Sequence, residues 1–245
     1  YSNRGGSIQI WTCDADGSRA AQLTNMDPLA TTGSPRWSPD GQRIVFDSSA
    51  GGNYQIYEVS ADGGHPKALT SGKSSNFIGA YSPDGRWIYF TSDRSGGSEI
   101  WRMPPGGGEA QQVTWRGGQA GVVSADGAWL IYTKKDGADG LWRMPMTDDF
   151  HASSAREQRL LDRISRFSFA PAPTGVYFVA PLKADGTTSV SYLDLTRGEI
   201  GVTKEIIRLD KPSDLGLALS PDGRSLLFTR LDYTGTDLML VENFR

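Results

Sequence analysis

Short apolar runs of four to six residues recur along the whole chain, and polar, glycine-rich stretches separate them. Residues 43–46 and 226–229 are such runs, rich in the β-branched and aromatic residues that favour strands. Residues 55–59 and 99–103 alternate polar and apolar positions with the two-residue period of a strand that has two different faces. The pattern predicts an all-β protein. Only residues 155–161 are also compatible with a short helix, with an outer strand as the alternative.

A tight-turn motif recurs at nearly constant spacing. Residues 38–41, 82–85 and 220–223 have the sequence Ser-Pro-Asp-Gly, residues 124–127 have Ser-Ala-Asp-Gly, and residues 170–175 are a degenerate copy. Proline presets φ at the first corner, aspartate bonds backbone amides, and glycine accepts a positive φ. The turn glycines lie 42 to 48 residues apart, which is typical of a repeat array.

Each repeat has the same internal order: an entry strand, the turn, an apolar strand, a polar loop, an alternating strand, a second turn and a short outer strand. A four-stranded antiparallel sheet repeated at this period is a propeller blade. Because one blade cannot bury both of its own faces, several must stack. The prediction is a β-propeller of the six-bladed type, possibly incomplete, with a five-bladed closure through a hybrid blade as the alternative.

The blade boundaries follow from the repeat. We predict a single propeller domain over residues 1–245, in which the last blade has three strands, so its open edge could pair with a strand of another chain. The predicted pieces are a second half-blade (1–34), full blades (35–75, 79–119, 121–165, 166–212) and the last blade (215–245).

Composition narrows the function classes. The formal net charge is −3 and Lys and Arg are not clustered, so direct binding of nucleic acid by this chain is not expected. No run approaches 18 apolar residues, so no membrane insertion is expected. Cys13 is the only cysteine, which excludes an internal disulfide.

Motifs that carry chemistry are weak in this sequence. There is no Gly-x-Ser-x-Gly nucleophile motif, and the only histidines, His65 and His151, fall in or near turns. The repeated turn aspartates are expected to bond their own turns rather than to act together. The sequence therefore predicts no catalytic residue, no metal site and no cofactor.

A ligand is most easily accommodated at the mouth of a propeller's central channel, where polar loop residues converge. The loops on one face carry mixed charges, for which a solvated rim is the alternative interpretation. The candidate ligand-binding residues are Arg94, Lys134, Arg166, Lys183, Arg230 and Asp232.

Several motifs together carry a family resemblance. The Trp-Ser-Pro-Asp-Gly at 37–41, Tyr-Gln-Ile-Tyr at 54–57, Asp-Gly-Gly at 62–64 and Ala-Leu-Thr at 68–70 resemble the WD-like propeller repeat of TolB-type proteins. The tail at 237–245 resembles the C-termini of bacterial regulators in which a winged-helix DNA-binding domain precedes such a propeller.

The resemblance implies a bacterial, non-catalytic sensor or interaction module that binds a protein partner or a small ligand. TolB itself is periplasmic and binds proteins, so the resemblance favours the periplasm over the cytoplasm. Two alternatives stay open: a hydrolase or lyase acting at the channel mouth, and a structural fragment without activity of its own.

Overall fold

The computed structural model describes residues 1–135, 139–165, 167–196, 202–213, 215–232 and 235–242. The chain divides into two compact units. Unit 1 comprises Tyr1–Val122 and Thr147–Ala155, and unit 2 comprises Val123–Met146 and Arg156–Arg245.

Unit 1 contains a two-stranded sheet and two four-stranded antiparallel sheets, together with one short helix, α1 (Phe150–Ser154). The helix begins where the Asp149 carboxylate accepts the amide of Ala152 at 3.0 Å, as an N-cap residue does. The three sheets, in chain order, are β1 (Trp11–Thr12) and β2 (Ala21–Gln22); β3 (Thr32–Trp37), β4 (Arg43–Gly51), β5 (Asn53–Ser60) and β6 (Lys67–Ala68); and β7 (Asn76–Tyr81), β8 (Ile88–Ser92), β9 (Glu99–Met103) and β10 (Gln111–Gln112).

The strands from β11 onwards form three further sheets, each of which follows chain order with antiparallel pairing. Residues 158–161 form an outer strand, so the outer-strand interpretation of 155–161 is correct and the short helix lies just before it. These sheets are β11 (Gln119–Val123), β12 (Trp129–Lys135), β13 (Asp139–Pro145) and β14 (Gln158–Leu161); β15 (Phe169–Ala172), β16 (Gly175–Val179), β17 (Thr188–Asp194) and β18 (Thr203–Leu209); and β19 (Leu217–Leu219), β20 (Ser225–Asp232) and β21 (Gly235–Glu242). All of these strands belong to unit 2 except β11, of which only Val123 does.

The predicted all-β architecture of antiparallel four-stranded sheets is confirmed. Over the described residues there are four complete four-stranded sheets, one of three strands and one of two, rather than the five or six full blades of a finished ring. The blade boundaries and the single-domain organisation stay predictions.

The Ser-Pro-Asp-Gly turns owe their uniform shape to one hydrogen-bond pattern. The Ser38 hydroxyl donates to Asp40 Oδ1 at 2.5 Å and accepts the amide of Arg43 at 2.9 Å. Asp40 Oδ1 also accepts the amide of Gln42 at 3.0 Å, and Gly41 has a φ of 68°. The same bonds recur in the turns at 82–85, 124–127 and 220–223, which makes these turns rigid connectors of the first and second strands.

The degenerate copy folds differently. Ala172 pairs directly with Gly175, so residues 173 and 174 form a two-residue hairpin turn. A Cβ on Gly175 would stand 2.1 Å from the carbonyl oxygen of Leu193, so close approach of the neighbouring strand requires glycine here.

Within unit 1, the core lies between successive sheets. Val45 and Phe46 are neighbours on β4 and both are fully buried, although they face opposite sides of the sheet. Val45 belongs to a cluster with Ile56 and Tyr81, and Phe46 to another with Ile10. Burial on both faces explains why the middle strands are apolar at successive positions.

Candidate functional site

Arg94 is the predicted loop residue that lies in unit 1, directly after β8. Its side chain is exposed, yet Nη2 donates to Asn76 Oδ1 at 2.8 Å and Nε donates to Ser92 Oγ at 2.9 Å. The guanidinium also lies over the Trp101 indole, 4.9 Å from the ring centroid. Partial burial lowers the pKa of Arg94, with Asp93 opposing the shift. Two of its five N–H donors therefore bond to the protein itself.

A buried polar network continues from Asn76. Asn76 Nδ2 donates to Gln55 Oε1 at 2.9 Å, and the same oxygen accepts the Thr70 hydroxyl at 2.7 Å. Nearby on β4, buried Asp47 accepts the amide of Ile78 at 2.8 Å, and desolvation raises the pKa of this carboxyl. The bonds join neighbouring strands, so the network holds this end of the sheets together.

Lys134 is buried in unit 2. Its ammonium pairs with Glu157 Oε1 at 2.6 Å and lies 4.6 Å from the centroid of the Trp142 ring. Glu157 Oε2 accepts the Tyr132 hydroxyl at 2.5 Å. Only 3% of the Lys134 side chain and 8% of the Glu157 side chain are exposed, so this lysine is not part of an exposed rim.

The other four candidates are dispersed or lie outside the described structure. Lys183 is exposed and forms a long ion pair of 3.9 Å with Glu205. Arg230 is partly buried in β20, opposite Asp237 of β21. Arg166 and the side chain of Asp232 lie outside what the structure describes. A shared ligand-binding role for Arg94, Lys134, Arg166, Lys183, Arg230 and Asp232 stays a prediction.

A second candidate surface lies at the opposite ends of these strands in unit 1. The turns at 38–41 and 82–85, with Arg43 and Tyr81, line a cleft with a volume of about 210 Å³, here named the turn cleft. Trp37, the residue that precedes the first turn, exposes 54% of its surface. The turn end of unit 1 therefore combines rigid turns and a polar cleft with an exposed indole that is not itself part of the cleft lining.

The charges of the turn cleft are fixed by local bonds. The Tyr81 hydroxyl donates to Glu58 Oε1 at 2.5 Å, and Arg43 lies 3.7 Å from the same carboxylate. Desolvation, helped by this bond to Glu58, raises the pKa of Tyr81 far above its usual range. A hydrogen bond from Ser82, followed by bonds from Arg86, lowers the pKa of Asp84 to about 2. At neutral pH the cleft therefore presents ionised aspartates beside a neutral phenol and a paired arginine.

The sequence did not identify Arg43, Glu58 or Tyr81 as site residues. Each occupies an ordinary strand position, and Glu58 reaches Tyr81 only because the sheet of β3–β6 packs on that of β7–β10. The recurring turn was the one available signal, and it indicated local structure rather than a surface.

Among the described residues, no three His, Cys, Asp or Glu side chains are grouped as a metal site would require. His65 is exposed, and His151 packs on Trp115 with ring centroids 4.9 Å apart. Within the same residues, no helix has the length and apolar character needed to cross a membrane.

Known proteins resemble the chain in sequence over a limited segment. A protein TolB homolog of Chlorobium chlorochromatii (strain CaD3) is 45% identical over 51 residues, which is 21% of this chain and 11% of that protein. The aligned segment therefore spans only a small part of this relative, and nothing about the whole protein's activity follows from it.

Solved structures match over nearly the whole chain. TolB from Acinetobacter baumannii superposes with a TM-score of 0.78 at 20% identity, covering 96% of this chain and 57% of that one. A proposed TolB from Agrobacterium tumefaciens gives a TM-score of 0.69 at 18% identity, covering 96% of this chain and 83% of that one. At these identities the likeness shows the fold alone.

The family model of the TolB beta-propeller domain matches residues 28–161, more than half of the chain. The match includes the first three turn motifs and the sheets on both sides of the turn cleft. The resemblance to winged-helix regulators stays a prediction. The chain belongs to the TolB beta-propeller domain family.

Proposed function

We propose that this chain is a non-catalytic protein-binding module of a bacterial envelope complex, and that it binds its partner through the turn end of unit 1. The observation that carries the proposal is the exposure of Trp37, the residue that precedes the first turn of the turn cleft in sequence. A large, rigid side chain with an apolar body and one donor is typical of the residues that dominate protein interfaces.

The surroundings of Trp37 support the same proposal. The Ser–Asp bonds hold the turns at 38–41 and 82–85 in one conformation, so a partner would order few residues on binding. Asp40 and Asp84 are exposed and their pKa values are lowered by these bonds, which keeps both carboxylates charged for a basic partner surface.

The finer parts of the proposal rest on the family. We place the module in the periplasm because TolB-type proteins suggest it, and we keep the role of a sensor within the same proposal. We also propose that the blades form part of a six-bladed ring. The edge strand β21 could pair with a strand of a further chain. Photo-crosslinking distinguishes a protein partner from a small ligand, because only a protein partner gives an adduct that contains a second protein.

Site-specific photo-crosslinking tests the proposal in cells that express the whole protein. Trp37 is replaced by p-benzoylphenylalanine, which exchanges one aromatic side chain for another at an exposed position. We expect irradiation to give a covalent adduct of defined mass that contains a second protein.

Leu182 provides the matched control because it is exposed to 57% and belongs to a turn of unit 2 near Lys183. We expect little or no adduct when p-benzoylphenylalanine replaces Leu182. An adduct at position 182 and none at position 37 would support partner binding near the loop residues predicted from sequence. It would contradict partner binding through the turn end of unit 1. No protein adduct at either position would contradict the protein-binding function.

A further inference from the structure

Arg36 departs from the pattern of the repeat. It lies five residues before the turn glycine Gly41. The equivalent positions of the four other repeats carry small or medium apolar residues, namely Ala80, Val122, Ala170 and Ala218. A long cationic side chain is therefore not needed to build this strand, because the other sheets form the same strand without it.

The fold places Arg36 against an apolar face. It pairs with Val45 across β3 and β4, so the two side chains leave the sheet on the same side. Val45 is fully buried in a cluster with Ile56 and Leu69, and Gly79 of β7 lies close against it. Arg36 is partly buried as a residue, so its side chain has lost part of its hydration. Among the described residues, no Arg36 nitrogen is one of the fully buried polar atoms without a partner, so its donors keep some access to solvent.

Arg36 has no protein partner within the described part of the chain. No hydrogen bond, ion pair or aromatic ring contact involves its side chain among those residues, in contrast to Arg43, which pairs with Glu58. Burial lowers the pKa of Arg36, and no carboxylate counteracts the shift. A guanidinium carries five N–H donors, and a desolvated one is stabilised by an oxyanion that accepts two of them together.

We infer that Arg36 binds a carboxylate of the protein partner, an Asp or Glu side chain or a chain terminus, as a bidentate ion pair. This inference rests on the proposed function, because it specifies the chemistry of one partner group. The pair would form in a partly desolvated setting, where charge-assisted hydrogen bonds are stronger than in water.

A carboxylate fits the site better than a phosphate group. The nearest cation in sequence, Arg43, is already engaged by Glu58 and Asp40, so Arg36 supplies a single positive charge. Phosphate sites usually combine several cations or backbone amides, whereas one planar guanidinium matches one planar carboxylate.

Arg36→Ala separates binding from a structural role. Alanine stands at three of the equivalent positions, so the variant is expected to fold and to melt at the same or a higher temperature, because an unpaired, partly buried charge has been removed. Arg43→Ala is the matched control, and we expect a lower melting temperature because Glu58 loses its cation. A clear loss of thermal stability in Arg36→Ala would show an internal partner and overturn the inference.

Anion titration of the isolated chain tests the site without any partner. The Nε–H signal of Arg36 is assigned by NMR from its absence in Arg36→Lys, and sodium acetate, sodium phosphate and sodium chloride are added at matched ionic strength. We expect a saturating shift of this signal with acetate, and no saturation of the Arg86 signal, whose guanidinium already pairs with Asp84. Absence of saturation, or saturation by phosphate well before acetate, would contradict carboxylate binding.

The two proposals can fail separately. If acetate saturates Arg36 but p-benzoylphenylalanine at position 37 captures no protein, the anion site stands and the protein-binding function fails. If the adduct forms, Arg36→Ala should reduce its yield about tenfold or more, as loss of a partly desolvated charge pair does. An unchanged yield would overturn the role of Arg36 in partner binding while leaving the proposed function intact.

Discussion

Both units place a cation over the indole of a third-strand tryptophan, but the two cations are held in opposite ways. In unit 1, exposed Arg94 lies over Trp101 and bonds the neutral side chain of Asn76. In unit 2, buried Lys134 lies over Trp142 and forms an ion pair with Glu157. The ring-to-cation distances are similar, at 4.9 Å and 4.6 Å.

The repeat therefore specifies that a cation lies over the tryptophan of the third strand, but it does not specify how much that contact contributes to stability. Trp101 and Trp142 occupy the same place in the motif at 100–103 and 141–144, while Arg94 lies in the loop after β8 and Lys134 lies within β12. An exposed cation above a ring contributes about 0.5–1 kcal/mol. A buried ion pair depends on its partner far more strongly, because breaking it leaves an uncompensated charge in the interior.

The largest effect is expected for Glu157→Gln. The amide retains the shape of the side chain but leaves the Lys134 ammonium buried without a counter-charge, so unfolding free energy should fall by about 3 kcal/mol. Urea unfolding measures the change. A loss below about 1 kcal/mol would show that water or another group compensates Lys134.

Two further variants complete this test. Glu205→Gln removes one partner of the exposed Lys183 pair, where we expect a change of less than about 0.5 kcal/mol. Adding Lys134→Met to Glu157→Gln should recover much of the lost stability, because no charge is then left buried. If the double variant were as unstable as Glu157→Gln alone, the loss of stability would come from altered packing and not from the unpaired charge of Lys134.

A smaller effect is expected for Arg94→Met. Methionine retains an apolar stem over Trp101 but removes the charge and the bonds to Asn76 and Ser92, so the loss should be about 1 kcal/mol. Arg86→Met is the control because Arg86 is exposed and, among the described residues, forms an ion pair only with Asp84. It should change stability less. If Arg94→Met lowered the unfolding free energy as much as Glu157→Gln, the buried ion pair would not depend more strongly on its partner than the exposed cation does.

An effect smaller than that of Arg94→Met is expected for Asp84→Asn, because the carboxylate is partly exposed. The pKa of Asp84 is about 2 in the folded chain and 3.8 as an ordinary aspartate, so its stabilisation is present above about pH 4 and is lost as pH falls towards 2. Because 44% of the side chain is exposed, we expect less than about 1 kcal/mol. The stability difference between wild type and variant, followed from pH 6 to pH 2, should shrink in that window; a constant difference would contradict the assignment.

The fold was largely predictable, since strands and turns depend on local sequence. Residues 43–46 and 99–103 form strands as expected, and the four intact turns have the conformation that proline, aspartate and glycine favour. The hairpin at Gly175 was only recognised as a degenerate turn, because its shape is set by contact with Leu193 on another strand.

The candidate site was much less predictable. Lys134 was expected on an exposed rim because a lysine in a loop usually is, yet Glu157 binds it in the interior. The sequence analysis did not single out Arg36, and it did not predict the turn cleft. Each of these depends on side chains that are distant in sequence, which a single sequence does not reveal.

By itself the sequence determined the repeat, and with it the strands, the turns and the alternation that makes the sheets stack, because each of these is set within some 45 residues of chain. The tertiary structure alone decided which charges are neutralised and which stay available. Whether Lys134 is paired and Arg36 is not depends on what the neighbouring strand presents, because the free energy of a charge depends on its surroundings rather than on its place in a motif.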